Sequence, residues 1–305
     1  MQGPTLPGPT QILRLSLPLG IRSLDFLDLL KRRHKGRSKV PSVHMGAVVQ
    51  NCLITIPVSH YCEKARWALE WSGVPYVEVK HLQGFHYLYS YRVVRSPFVP
   101  ILKTPTQILA DSTDIIRWCD SQAPSQRKLL PKDPELRAQV DQLEEYFDEK
   151  LGVAGRLWMY TFMLREIPLL LRYSRIHAVP NYEITLMPLL LPLMKGFIRR
   201  RLSLSPESPS KTKETVNQIF EDVATRLTGK NFLIGNSFTS ADLTFAALSA
   251  AVLIPENYGV RLPRLDELPE DMRNQIITWR QHPAGLYARR LYREFRVFRV
   301  RGPAY

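Results

Sequence analysis

Two kinds of hydrophobic pattern divide the chain. Before residue 123 the apolar runs are short and punctuated by Pro and Gly, whereas after residue 134 they recur at steps of three and four. Leu53-Ile54-Thr55-Ile56, halted by Pro57, predicts a short buried strand. Ser59 then stands where an N-cap is expected, ahead of a helix that runs to Trp71 or Ser72 and is closed by Gly73. On that helix Ala65, Ala68 and Leu69 share a face, with Glu63, Lys64 and Glu70 as the polar remainder. Pro75 to Val79 alternates as a second strand, and Phe98 to Leu102 is a third, begun beside a proline where no ladder donor is needed. A turn at Lys103 to Thr106 leads to a hairpin partner, Gln107 to Ala110, and Asp111-Ser112 caps a helix from Thr113 to about Ser121. The segment between the second and third strands is less regular.

The second half is helical. Asp133 is a good N-cap with Pro134 at the first helical position. Leu136, Val140, Leu143, Phe147 and Leu151 follow as one apolar stripe, opposed by Glu144, Glu145 and Asp148. Thr239 and Asp242 have capping-box spacing ahead of Leu243 to Leu253, which is apolar nearly all round and predicts a buried central helix, with Asp242 a folding cap. Between about 155 and 210 lie two leucine-rich blocks, Ile167 to Leu171 and Leu186 to Met194, followed by Lys195 and Arg199-Arg200-Arg201. This arrangement fits peripheral contact with an anionic membrane, or two helices that roof a pocket; buried leucines are the commoner case. No stretch reaches the roughly 18 uninterrupted apolar residues of a membrane span.

Charge changes the picture at the N-terminus. Of the formal net charge of +14, +6 falls in residues 1–44, which hold eight Lys or Arg against Asp25 and Asp28. A basic, acid-poor leader is similar to an organelle transit peptide; the alternatives are a disordered basic extension, or untranslated sequence upstream of a start at Met45. The location is therefore cytoplasmic, or mitochondrial or plastid if the leader is a transit peptide. The other basic residues sit in the cluster at 195–201 and the C-terminal region, and match no nucleic-acid-binding motif. Three cysteines, Cys52, Cys62 and Cys119, form neither a disulfide framework nor a zinc signature, and no metal is expected.

Strand, helix, strand, irregular segment, hairpin and helix is the order of a thioredoxin-like domain, placed at residues 50–123 after an extension at 1–49. A linker at 124–133 and an all-helical domain at 134–305 follow. The run Ser59-His60-Tyr61-Cys62-Glu63-Lys64-Ala65-Arg66, with Gly73-Val74-Pro75-Tyr76 after it, resembles the opening of a soluble glutathione S-transferase. Val99-Pro100-Ile101-Leu102 resembles that family's strand with its cis-proline, and Ala110-Asp111-Ser112-Thr113 its glutathione-recognition turn.

The resemblance implies a thioredoxin-like α/β domain joined to an all-α domain, a homodimer, and glutathione as co-substrate beside a small hydrophobic electrophile. It places the catalytic serine at Ser59, the backbone contacts to the cysteinyl unit at Val99 and Pro100, and the γ-glutamyl contacts at Asp111 and Ser112. The alternative for Ser59 is a plain N-cap. The function implied is thiol activation for conjugation in detoxification, or for peroxide reduction; the alternative is a non-catalytic ligand-binding or scaffold protein on the same fold. Cys62 has Ser59 where a redox pair would need a second cysteine, so an inert core thiol is expected, and Cys119 likewise. For the glycine end the candidates are Lys80, His81, Gln83, His86, Arg92 and Arg95, because the family's basic pair before the proline is absent here. His81 and His86 are expected as ordinary surface or loop residues, and Trp158, Tyr160 and Phe162 as core aromatics that could also line a pocket.

Overall fold

The structure is a computed structural model whose described residues fall in one compact unit. Residues 50–201 and 208–296 are described here; the transit-peptide expectation falls outside them. Four strands, β1 (Asn51–Thr55), β2 (Tyr76–Lys80), β3 (Ile101–Lys103) and β4 (Ile108–Leu109), make one sheet in the order β2-β1-β3-β4. β1 pairs parallel with β2, Leu53 opposite Glu78, and antiparallel with β3, Leu53 opposite Leu102. Helix α1 (His60–Ser72) makes the parallel crossover, α2 (His86–Val94) leads toward β3, and α3 (Ser112–Gln122) closes the domain. This is the thioredoxin-like arrangement, with the Val99–Pro100 bond cis before β3.

The ends of α1 are set as its sequence requires. Ser59 accepts from the Cys62 amide, and Gly73 turns left-handed at φ 75° to end the helix, where a side chain would be strained. Its polar face is not solvated, however. Glu63, Lys64, Arg66 and Glu70 are all buried, because α1 lies between α3 and the helical domain rather than at a surface. α2 is likewise a helix where the sequence shows no period. It lacks a side-chain cap at Phe85 and buries only His86 and Ser90, one turn apart.

The helical domain begins with α4 (Pro134–Tyr146), capped by Asp133, followed by a π-helical turn at Phe147–Leu151 and then α5 (Gly152–Met163). Helices α6 (Ile167–Ile176), α7 (Asn181–Arg201), α8 (Ser208–Arg226), α9 (Ser240–Leu253), α10 (Glu270–Gln281) and α11 (Pro283–Glu294) complete it. Every residue of α9 is buried, consistent with its uniformly apolar sequence. Asp242 accepts from the Thr239 and Leu233 amides and from the Tyr287 hydroxyl, a structural anchor. Glu144, expected on the polar face of α4, is buried and accepts from Ser240 and Thr244 of α9. Helix α7 carries Pro188 and Pro192; one face puts Met187 and Leu191 toward a cleft, while Leu189 and Leu193 on another are 77% and 78% exposed. No helix among the described residues is long and apolar enough to cross a membrane.

Candidate functional site

A cleft of about 650 Å³ runs between the start of α1 and helices α5, α6 and α7. Ser59 lies on its wall, immediately before the first turn of α1, and Val99 faces it from the cis bond to Pro100. The Ser59 hydroxyl oxygen accepts a long bond, 3.4 Å from the Cys62 amide, and the hydroxyl also interacts with the Cys62 thiol, working against the upward push of burial on it. Backbone N–H groups in a helix's first turn have no intrahelical acceptor and favour an anion there.

The three residues after Ser59 are each committed elsewhere. His60 Nε2 donates to the Gly152 carbonyl at 2.9 Å. Burial, then the charge of Arg156, pushes its pKa down to about 3, so the ring is neutral. Tyr61 donates to the Asp148 carbonyl at 2.6 Å, and burial pushes its hydroxyl up to about 12. Cys62 has no exposed surface and burial pushes its thiol up to about 11, which makes it a core thiol rather than a nucleophile. The acceptors for His60 and Tyr61 both come from the π-helical turn and its successor. Gly152 also leaves room for the tyrosine, since a Cβ there would stand 2.3 Å from the Tyr61 hydroxyl.

Asp111 and Ser112 sit at the start of α3, outside the cleft lining. Asp111 is exposed and uses one carboxylate oxygen to cap its helix, accepting from the Thr113 and Asp114 amides at 2.7 and 3.3 Å. Its charge reaches Tyr61, which does line the cleft. Ser112 and Pro100 are buried. Of the glycine-end candidates, Gln83 and His86 line the cleft, while Arg92 and Arg95 are exposed. Contrary to the surface expectation, His81 is 1% and His86 3% exposed. His81 pairs with Glu183 at 2.7 Å, and the other oxygen of Glu183 accepts from the Leu82 amide, fastening α7 to the strand exit. His86 donates to the Pro97 carbonyl at 3.1 Å, and burial pushes it down to about 4. Among the aromatic candidates, Trp158 is a core residue against Trp279, Phe162 packs partly buried on that core, and Tyr160 lines the cleft. Arg156, which sequence reasoning did not single out, lines it too. The available signal was one cation among Val153, Leu157 and Tyr160 on a helical face. Among the described residues no group of three metal-ligating side chains is assembled.

Residues 53–127 match the family model described as glutathione S-transferase, N-terminal domain. No curated protein sequence matches the chain. Among solved structures, a glutathione S-transferase from Xanthobacter autotrophicus Py2 is similar with a TM-score of 0.51 at 15% identity, covering 79% of this chain and 91% of its own. Glutathione transferase F2 from Populus trichocarpa gives 0.50 at 15%, covering 81% and 98%. A point variant of poplar glutathione transferase F1 gives 0.51 at 15%, with the same coverage. The fold is therefore that of the glutathione transferases over both domains.

Proposed function

We propose that the chain is a glutathione transferase-like enzyme in which Ser59 donates a hydrogen bond to the thiolate of bound glutathione. The observation that carries this reading is the Ser59 hydroxyl at the start of α1, on the wall of an apolar cleft that Val99 also faces. Its neighbours do not compete for the role: Tyr61 is engaged by Asp148, His60 by Gly152, and Cys62 is enclosed. A free thiol with a pKa of about 8.5 is only about 3% ionised at pH 7. Lowering it by about two units requires roughly 3 kcal/mol of differential stabilisation, which a hydroxyl donor and the helix N-terminus together can supply. In this reading Val99 offers its backbone groups to the cysteinyl unit beside Pro100. Asp111 takes the γ-glutamyl ammonium with its free oxygen, and Ser112 assists at the carboxylate. The thiolate then attacks an apolar electrophile, or reduces a hydroperoxide, held against α5 and α7.

Titration calorimetry of glutathione into the full-length chain between pH 5 and 9, in two buffers of different ionisation enthalpy, tests the reading. Proton release on binding to the wild type, absent in Ser59→Ala, is the expected result. Binding without proton release would make the protein a carrier, and absence of binding at millimolar glutathione would leave only the fold.

A further inference from the structure

The cleft is apolar, yet among the described residues that line it there is one formal charge, and no described residue pairs with it. No Asp, Glu or Lys lines it. Its three histidines are held neutral: burial pushes His60 down to about 3, His86 down to about 4, and His177 down as well. Each directs its Nε2 at a backbone carbonyl, of Gly152, Pro97 and Arg261 respectively. Among the described lining residues, Arg156 is thus the one side chain that brings a formal charge. Its Nε is enclosed without an acceptor, and among the described residues its guanidinium makes no hydrogen bond or ion pair. The Tyr61 ring stands beside it, its centroid 6.0 Å from the guanidinium carbon.

An unpaired guanidinium against apolar surface is unfavourable unless an anion completes it. The planar fork of donors suits a carboxylate, which it can grip at two points. One helical turn on, Tyr160 lines the same cleft; its hydroxyl is kept protonated by burial and makes no hydrogen bond among the described residues. Beyond this pair the wall is Leu157, Met163, Leu164 and Leu170, with Met187 and Leu191 from α7. The volume, about 650 Å³, is within the roughly 300–1,000 Å³ of small-molecule sites and leaves space for an extended apolar body.

We propose that the second ligand of this cleft is an amphiphilic acid, its carboxylate held by Arg156 and Tyr160 and its hydrocarbon body by the leucine and methionine wall. This names the substrate class for the reading above and rests on it for the thiol at Ser59. Binding of an acid to Arg156 can nevertheless be measured without glutathione.

The test is titration calorimetry on the full-length chain with decanoate and with decan-1-ol, equal in chain length and different in charge. Decanoate is expected to bind at least tenfold more tightly than the alcohol. That preference should vanish in Arg156→Met and persist in reduced form in Arg156→Lys, which preserves the charge if the methionine variant folds poorly. Saturating glutathione should leave decanoate binding in place. Equal affinity for the two probes in the wild type, or a preference that survives Arg156→Met, overturns the proposal. So does displacement of decanoate by glutathione, which would assign Arg156 to the tripeptide's own carboxylate. Loss of glutathione binding with the decanoate preference intact would overturn only the reading of Ser59.

Discussion

Arg66 and Arg156 are the same side chain in two opposite settings. Arg66 is wholly buried in α1, where Glu78 and Glu63 take its Nε and one Nη at 2.7 and 2.9 Å, and the Pro57 carbonyl takes the other Nη at 2.7 Å. The Arg66 pair holds Glu78 down at about 2, against the desolvation that opposes it. Arg296 extends this network from beyond α11, binding Glu63 at 2.8 Å and Glu70 at 2.5 Å. Arg156, in the cleft, has none of this. Charges set against apolar surface are retained either because the fold completes them or because a ligand does. The first group therefore reports on how the two domains are joined, and the second on what enters between them.

The contrast can be broken most forcefully at the paired end. Arg296→Met removes the cation that Glu70 and Glu63 share, leaving Arg66 on Glu63, and the expected loss of unfolding free energy is about 3–5 kcal/mol in urea titration. A loss below 1 kcal/mol would show that the network is dispensable. Acid acts next. His60 and His86 have pKa values lowered in the fold, so the stability they contribute is complete above about 6.5 and is lost as pH falls toward about 3 and 4 respectively. At pH 5 each should have removed roughly 2 kcal/mol, visible as a lower urea midpoint than at pH 7.5, and His60→Gln should flatten the slope. Glu78 adds to the loss only below its ordinary range, near pH 4.5. An unchanged midpoint at pH 5 would contradict the enclosed, neutral rings.

Gly259 tests the network by crowding it. A Cβ there would lie 2.3 Å from a Glu63 carboxylate oxygen and 2.8 Å from Arg296, so Gly259→Ala should destabilise by about 1–3 kcal/mol in thermal unfolding. Arg156→Met is the smallest change expected. With no ion pair to lose among the described residues and a side chain only partly buried, the unfolding free energy should stay within about 1 kcal/mol. A drop as large as that of Arg296→Met would mean the guanidinium is part of the frame.

Local signals in the sequence marked the ends of elements well. Ser59 and Gly73, Asp133 with Pro134, and Thr239 with Asp242 all lie where caps are needed, because capping depends on residues within one turn of each other. The same signals misjudged which faces are dry. Glu63 and Glu70 look solvated because Arg296, which bridges them, is more than 220 residues away, and Glu144 does because Ser240 and Thr244 are about 100 away. His86 begins a helix with neither cap nor stripe, so α2 was not legible. Arg156 was visible as a letter but not as an anomaly. That it lacks a partner is a property of the whole assembled cleft, and so it could be seen only once the elements were in place.

The π-helical turn at Phe147–Leu151 has a consequence for inheritance. It and the residue after it lend carbonyls to Tyr61 and His60, the two positions that follow Ser59, while Asp148 within it also holds Lys64 and Thr113. A chimera that grafted residues 50–123 onto another helical half would lose these acceptors together with Arg296. The serine's helix would then begin against an unfamiliar backbone. The two halves of this protein are thus poor cassettes, and recombination within the lineage should exchange them as one piece.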